Sequence, residues 1–222
     1  MIKEKEKKAD NIIKTIRERI GTINQLYRSG PDLYFYKRIL FLRNNSQDIS
    51  SFLKNDYHLE IAYATLVSWD MNSRGAKMKY FDDFKSNILS CLKHFVELDK
   101  IKQIRNNDDE LNLTTLLWAI YRKLNLMKTG GCLVSNSKLL HFLFPSLLMP
   151  MDRQNTLQFF YGNTGESETK YFEILELSNE IMRSPLDWNS YLDIGWNSTI
   201  PKIIDNAIIL LVGKSITTPV VK

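Results

Sequence analysis

The chain is predicted to be all-α, one globular domain of about ten helices spanning residues 1–222. Three observations predict this. Apolar residues recur at three- and four-residue steps over most of the length, as in Ile12, Ile16, Ile20, Ile23 and in Phe84, Ile88, Leu92, Phe95. Alternating strand patterns are scarce; the β-like run "SITTPVV" near the C-terminus contains Pro219, which spoils a ladder. Only 9 Gly and 6 Pro punctuate 222 residues, so long regular elements are allowed.

Residues 3–28 read as one helix with Ile12, Ile13, Ile16, Ile20, Ile23 and Tyr27 on a stripe, ended by Ser29, Gly30 and Pro31. Lysines and arginines decorate the rest of it, with Glu4, Glu6 and Glu18 interleaved to dilute the field. Pro31 and Asp32 suit the first turn of a second helix carrying Leu33, Tyr36, Ile39 and Leu40. "SQDISSFLKN" reads as a short helix. "YHLEIAYATLVSWDM" reads as a buried one with Leu59, Ala62, Tyr63, Leu66 and Val67 on one side. "NSRGAKMKY" is a loop, because Asn72, Ser73 and Gly75 form turns. Asp82 or Asp83 then starts a long helix through Leu98. "RNNDDE", at 105–110, is a polar break and a candidate lobe boundary. The mostly apolar "LNLTTLLWAIYRKLNLM" follows, with Gly130 or Gly131 expected as the left-handed residue after it. Further helices are expected over 135–144, from Asp152, from Ser167, and from Pro201 to Gly213.

Composition narrows the function classes. Hydrophobic residues make up 44% and charged residues 25%, as in ordinary globular chains. The net charge of +5 permits a polyanionic partner without demanding one. Cys91 and Cys132 form no CxxC pair and have no His at ligand spacing, so neither a disulfide framework nor zinc is expected, and a reducing cytoplasm is the simplest setting. "MIKEKEKKAD" lacks the apolar core of a secretory signal, and no apolar run reaches the ~20 residues of a membrane span. GxxxxGK[ST], GxSxG and HExxH are all absent, and no cofactor or metal is expected.

Two stretches carry candidate chemistry. In "SNSKLLHFLFPSLLMPMDRQNTLQFF", residues 135–160, Lys138 and His141 share a face of an otherwise apolar helix, which must bring them to water, a partner or a pocket. Pro145 stops that helix, Pro150 keeps Met149 extended, and Asp152 is placed to cap the next helix, followed by Arg153. In "SWDMNSRGAKMKYFDDF", Trp69 and Tyr80 alternate with Arg74, Lys77 and Lys79, a combination that suits base stacking and phosphate contact. Lys202 and Asp205 read as an ordinary helix ion pair, and Trp188 and Trp196 as packing.

A short helix, an extended apolar link with a proline, and Asp at the head of another helix resemble the segment after the hairpin in the helix-hairpin-helix DNA glycosylases. Gly130 and Gly131 stand where that family's hairpin glycines stand, and Pro150, Met151 and Asp152 match its P-V-D element. The resemblance covers residues 128–160. It implies a two-lobed helical fold, DNA as partner, phosphate contact through Gly130 and Gly131, and Asp152 as the carboxylate assisting departure of an extruded base. The hairpin "L-P-G-V-G" is replaced by "MKTGGCLVS", and the position of the family's nucleophilic lysine falls on Val134, so lyase chemistry does not carry over. Candidate catalytic residues are Asp152, His141 and Lys138; candidate nucleic-acid contacts are Trp69, Arg74, Lys77, Gly130, Gly131 and Arg153. The alternative reading is a non-enzymatic interaction module that self-associates through residues 3–28. An enzyme acting on a small anion through Arg74, Arg153 and His141 is a third.

Overall fold

The computed structural model describes residues 2–27, 30–73, 75–101 and 107–213; Arg74, residues 102–106 of the polar break and the C-terminal β-like run lie outside them. In chain order the described helices are α1 (Ile2–Arg19), α2 (Ile23–Leu26), α3 (Pro31–Asn44), α4 (Ile49–Leu53), α5 (Asp56–Leu66) and α6 (Phe81–Ser90). They continue with α7 (Leu92–Leu98), α8 (Asn107–Lys123), α9 (Leu133–Leu143), α10 (Gln158–Tyr161), α11 (Glu168–Met182) and α12 (Ile200–Gly213). The all-α expectation holds: among the described residues the β-structure is one isolated bridge, Met78 to Met127. No helix among them is long and apolar enough to cross a membrane.

The chain folds as two compact units. A terminal unit combines Met1–Arg28 with Met149–Lys222, and a central unit holds Ser29–Leu148. Of the polar break at 105–110, residues 107–110 open α8 in the central unit.

In the terminal unit, α1 packs along α12 and α11. Ile12, Ile16, Ile20 and Ile23 are all buried there, each contributing roughly 1.5–3 kcal/mol by leaving water. The apolar stripe that suggested self-association is therefore used inside the unit. The predicted single helix over 3–28 is interrupted: a 3₁₀ turn at Ile20–Thr22 separates α1 from α2, with Gly21 at its centre and the Thr22 hydroxyl donating to Arg19 O at 2.8 Å. Gly lowers the helical preference at that point, and a threonine hydroxyl bonding back to the main chain bends what remains.

In the central unit, α3, α5 and α9 pack on one another, and α4 packs on α7. Two long predicted helices are broken here as well. After Leu66 the chain forms a π turn, Val67–Met71, in which Trp69 leaves helical geometry and Asp70 has φ +65°. Val67 is exposed as a result and does not join the buried side of α5. At Cys91 (φ −93°, ψ 1°) the expected helix from 82 to 98 divides into α6 and α7, where the Ser90 hydroxyl donates to Asn87 O at 2.7 Å. Helix α8 ends at Lys123, so Gly130 and Gly131 do not terminate it. Gly75 and Gly162 are the glycines with positive φ among the described residues.

Other expectations held. Asp152 and Ser167 accept N-cap bonds in front of the π turn Arg153–Leu157 and α11; Asp48 and Asn55, for which no cap was expected, do the same in front of α4 and α5. Pro201 sits in the first turn of α12. Helix α9 begins at Leu133, two residues before the predicted serine cap. Ser135 and Ser137 lie inside it and donate back to Cys132 O and Val134 O.

Candidate functional site

In the central unit, α9 is buried along its whole length, polar residues included. Lys138 is 7% exposed, and its Nζ donates to Trp69 O at 2.7 Å. It thereby satisfies a carbonyl that the π turn takes out of the helical ladder, an ammonium at the negative end of α5. His141 is fully buried between Tyr36 and the Pro145–Leu148 link: its Nδ1 lies 2.7 Å from Leu148 O, and its Nε2 lies 2.8 Å from the Tyr36 hydroxyl. A carbonyl can only accept, so Nδ1 carries the proton and Nε2 accepts from Tyr36. The imidazole stacks on Tyr36 at 5.6 Å between centroids. Trp69 packs against Tyr36 and Phe142 (5.1 and 5.0 Å) and donates its indole N–H to Asp32 O. These groups tie α3, the end of α5 and α9 together. Lys138, His141 and Trp69 do meet around Tyr36, with Tyr36 and His141 out of water, Lys138 nearly so and Trp69 partly exposed.

The other candidate segments in this unit form a surface. Lys79 N donates to Leu126 O at 2.9 Å and Lys128 N to Lys77 O at 2.7 Å, around the Met78–Met127 bridge. Met78 and Met127 point inward and are buried. With side chains alternating along extended backbone, Lys77 is exposed, Lys79 is half-buried, and Lys128 and Gly130 are exposed. Tyr80 is 73% exposed, with the Lys128 ammonium 3.2 Å from its ring centroid. The Tyr63 hydroxyl donates to Lys79 O and anchors the loop. Loops separated by about fifty residues of sequence thus bring three lysines, an exposed aromatic ring and the Gly130–Gly131 backbone onto one face. The exposed aromatic of this loop is Tyr80 rather than Trp69. Lys79 and Tyr80 belong to the stretch the sequence singled out; Lys128 was not among the sequence candidates, because pairing of the two loops has no local signature.

A hollow of about 250 Å³ in the same unit lies against Arg43, Asp99 and Phe144–Leu147. Arg43 pairs with Asp99 and donates to Leu143 O, while Asp99 also accepts from Ile49 N. Its charged groups serve as a clamp between helices.

In the terminal unit, Asp152 caps the π turn Arg153–Leu157 through Oδ1 alone, which accepts from Gln154 N (2.7 Å), Asn155 N (2.8 Å) and Asn155 Nδ2 (3.1 Å). Arg153 is exposed and pairs with Glu166. The Lys202–Asp205 pair expected from the sequence forms under α12, but it is buried and belongs to a polar network that the sequence reading did not find. Lys202 and Asp205 are 4% and 5% exposed; Lys202 Nζ donates to Asp205 Oδ2 at 2.6 Å and to Asn206 Oδ1 at 2.8 Å, and sits 5.3 Å from the Trp196 ring centre. Asn206 Nδ2 donates to Trp196 O and Asn197 Oδ1, and Asn197 Nδ2 donates to Ile20 O. At Gly195 a Cβ would collide with the Asn24 side-chain amide, so a larger residue would have to displace that amide from its bonds to Trp196 N and Asp193. The available signal was three polar residues at i, i+3 and i+4 on an otherwise wholly apolar helix.

Burial, followed by the carboxylates of Asp205 and Asp152, raises the Tyr27 phenol above its ordinary value of 10.0. Both carboxylates therefore act on one half-exposed ring. Burial raises the phenols of Tyr161 and Tyr171 as well, with Glu173 adding to it at Tyr161. The folded chain prefers the neutral phenol at all three, so this contribution to stability is intact below pH about 10 and is lost as pH rises through the raised values. Asp152→Asn should move the Tyr27 step of an alkaline absorbance titration downward while keeping the cap, since Asn caps as well as Asp. Asp152→Ala should in addition cost about 1 kcal/mol in a urea titration. An unchanged titration in Asp152→Asn would place the carboxylate too far from Tyr27 to matter.

Among the described residues no three His, Cys, Asp or Glu side chains gather as a metal site needs. No family model matches the sequence, and no curated protein and no solved structure matches the chain.

Proposed function

We propose that this protein associates with DNA, in the manner of a helical base-excision glycosylase without lyase chemistry. The observation that carries the reading is the face formed where residues 77–80 run beside 126–131. Lys77, Lys79 and Lys128 offer three cations to phosphates, the Tyr80 ring holds the Lys128 ammonium over its face, and the Gly130–Gly131 backbone has no side chains to keep a phosphate away. Two features support the glycosylase-like part. The helices divide into two compact units, as the resemblance implies. Asp152 stands at the head of a helical turn with its cap made through one oxygen, which leaves Oδ2 outside the cap. In this reading Asp152 stabilises positive charge on the sugar as the base departs. Lys138, nearly buried and bonded to Trp69 O, is withdrawn from nucleophilic attack.

Binding of a labelled duplex at two salt concentrations tests it. Affinity should fall as salt rises. Replacing Lys77, Lys79 and Lys128 together by alanine should flatten the log–log slope by up to about 0.9 for each phosphate that a lysine had neutralised. Binding indifferent to salt, or a triple variant that binds as tightly as the parent, would refute the interface.

A further inference from the structure

A different face of the central unit has features that phosphate binding does not explain. Along α3, Tyr34, Lys37, Arg38 and Phe41 stand at i, i+3, i+4 and i+7, on the side opposite the buried Leu33, Tyr36, Ile39 and Leu40. Tyr34 is 66% exposed and Phe41 56%. Tyr57, in the first turn of α5, is 46% exposed and closes one flank. Arg38 is held in the middle. Its guanidinium carbon lies 5.5 Å from the Phe41 ring centre and 5.7 Å from that of Tyr57, and its Nε and Nη2 reach the Tyr57 hydroxyl at 3.4 and 3.2 Å.

An arginine already fixed by two rings and a hydroxyl has lost its rotamer freedom before any partner arrives, so pairing it with a carboxylate costs less entropy than pairing a free surface arginine. Aromatic side chains around an arginine are also the composition that dominates binding energy at protein interfaces. The stripe 34–41 contains no carboxylate of its own, and Asp56, beside Tyr57, is paired with Lys85 at 2.5 Å. The face is thus apolar and positive with its charge unmatched, and the complementary partner is apolar and negative. A single-stranded nucleic acid is the weaker fit, because the guanidinium lies over the Phe41 and Tyr57 rings on which bases would stack.

We propose that the outer face of α3, with Tyr57, is a docking site for an acidic peptide segment of another protein, its carboxylate received by Arg38 and Lys37 and its apolar side chains by Tyr34, Phe41 and Tyr57. This site is independent of the Lys77–Lys79–Lys128 face. The test is selection of a phage-displayed library of random 16-residue peptides on the full-length protein, followed by affinity measurements on the enriched peptides. The expected enrichment places Asp or Glu three or four residues from Phe, Trp or Leu. Enriched peptides should bind Arg38→Glu and Phe41→Ala at least tenfold more weakly, with circular-dichroism melting of both variants matching the parent. Tyr34→Ser, a more exposed change, provides a second variant should Phe41→Ala unfold the helix, and should weaken binding severalfold. Peptides without carboxylates, peptides that bind all three variants undiminished, or no enrichment at all would overturn the proposal. So would displacement of the enriched peptides by oligo(dT) from this face, which would assign it to nucleic acid.

Discussion

Asp205→Ala is expected to destabilise the terminal unit by about 3–5 kcal/mol, because it takes the carboxylate away from the buried Lys202 ammonium. Both members of the pair are almost removed from water, on a helix whose other positions, Asn206 apart, are apolar. An unpaired buried charge costs far more than the pair contributes. Lys202→Met combined with Asp205→Leu should therefore recover most of what Asp205→Ala loses, since apolar residues of similar volume often replace a buried pair without net cost. Two further groups temper the recovery: Asn206 Oδ1 would lose its bond from Lys202, and Trp196 would lose its cation. Urea unfolding of the three variants is the measurement. If Asp205→Ala unfolds at the parent's midpoint, the pair is solvated and the network under α12 is not what holds residues 193–197 in place. If the double variant is as unstable as Asp205→Ala, the cost lies in the surrounding asparagines.

His141→Ala is expected to cost the central unit about 3–5 kcal/mol, from a cavity in a fully buried helix together with the loss of the bonds to the Tyr36 hydroxyl and Leu148 O. Tyr36→Phe keeps the packing and removes one bond, so a smaller loss of about 1–3 kcal/mol is expected. The two side chains bond to each other, and the effects of substituting them should be non-additive in a double-variant cycle. The same experiment separates structure from chemistry for this histidine. A solvent-reachable general base could be removed with little change in stability, because its partner would be water. A midpoint for His141→Ala within experimental error of the parent would show that the imidazole is not the buried tie between α3, α9 and the link at 145–148.

The all-α class was legible because the apolar stripes are local facts: Ile12, Ile16, Ile20 and Ile23 share a face on a helix, whereas a strand would turn Ile23 to the opposite face. Caps were legible for the same reason, since Asp152 and Ser167 bond to backbone N–H groups two or three residues away. Helix interruptions at Gly21, Trp69 and Cys91 were not, because each depends on competing bonds or packing that periodicity does not encode. Site reading divided in the same way. Lys138 and His141 stood out as polar groups in an apolar stretch, and the sequence alone could not say whether a pocket or a partner met them. The partners turned out to be Trp69 O, Tyr36 and Leu148 O, contributed by segments up to 105 residues away.

What the sequence determined by itself was the set of helices, most of their starts, and which faces had to leave water, since these follow from spacing and from bonds within a turn. Tertiary structure decided which polar groups found partners in the interior and which were left on the surface. It buried Lys202 with Asp205 and set Lys128 beside Tyr80. Those outcomes depend on which distant segments share a dielectric environment, and a charge is stable inside only where its counterpart is held beside it.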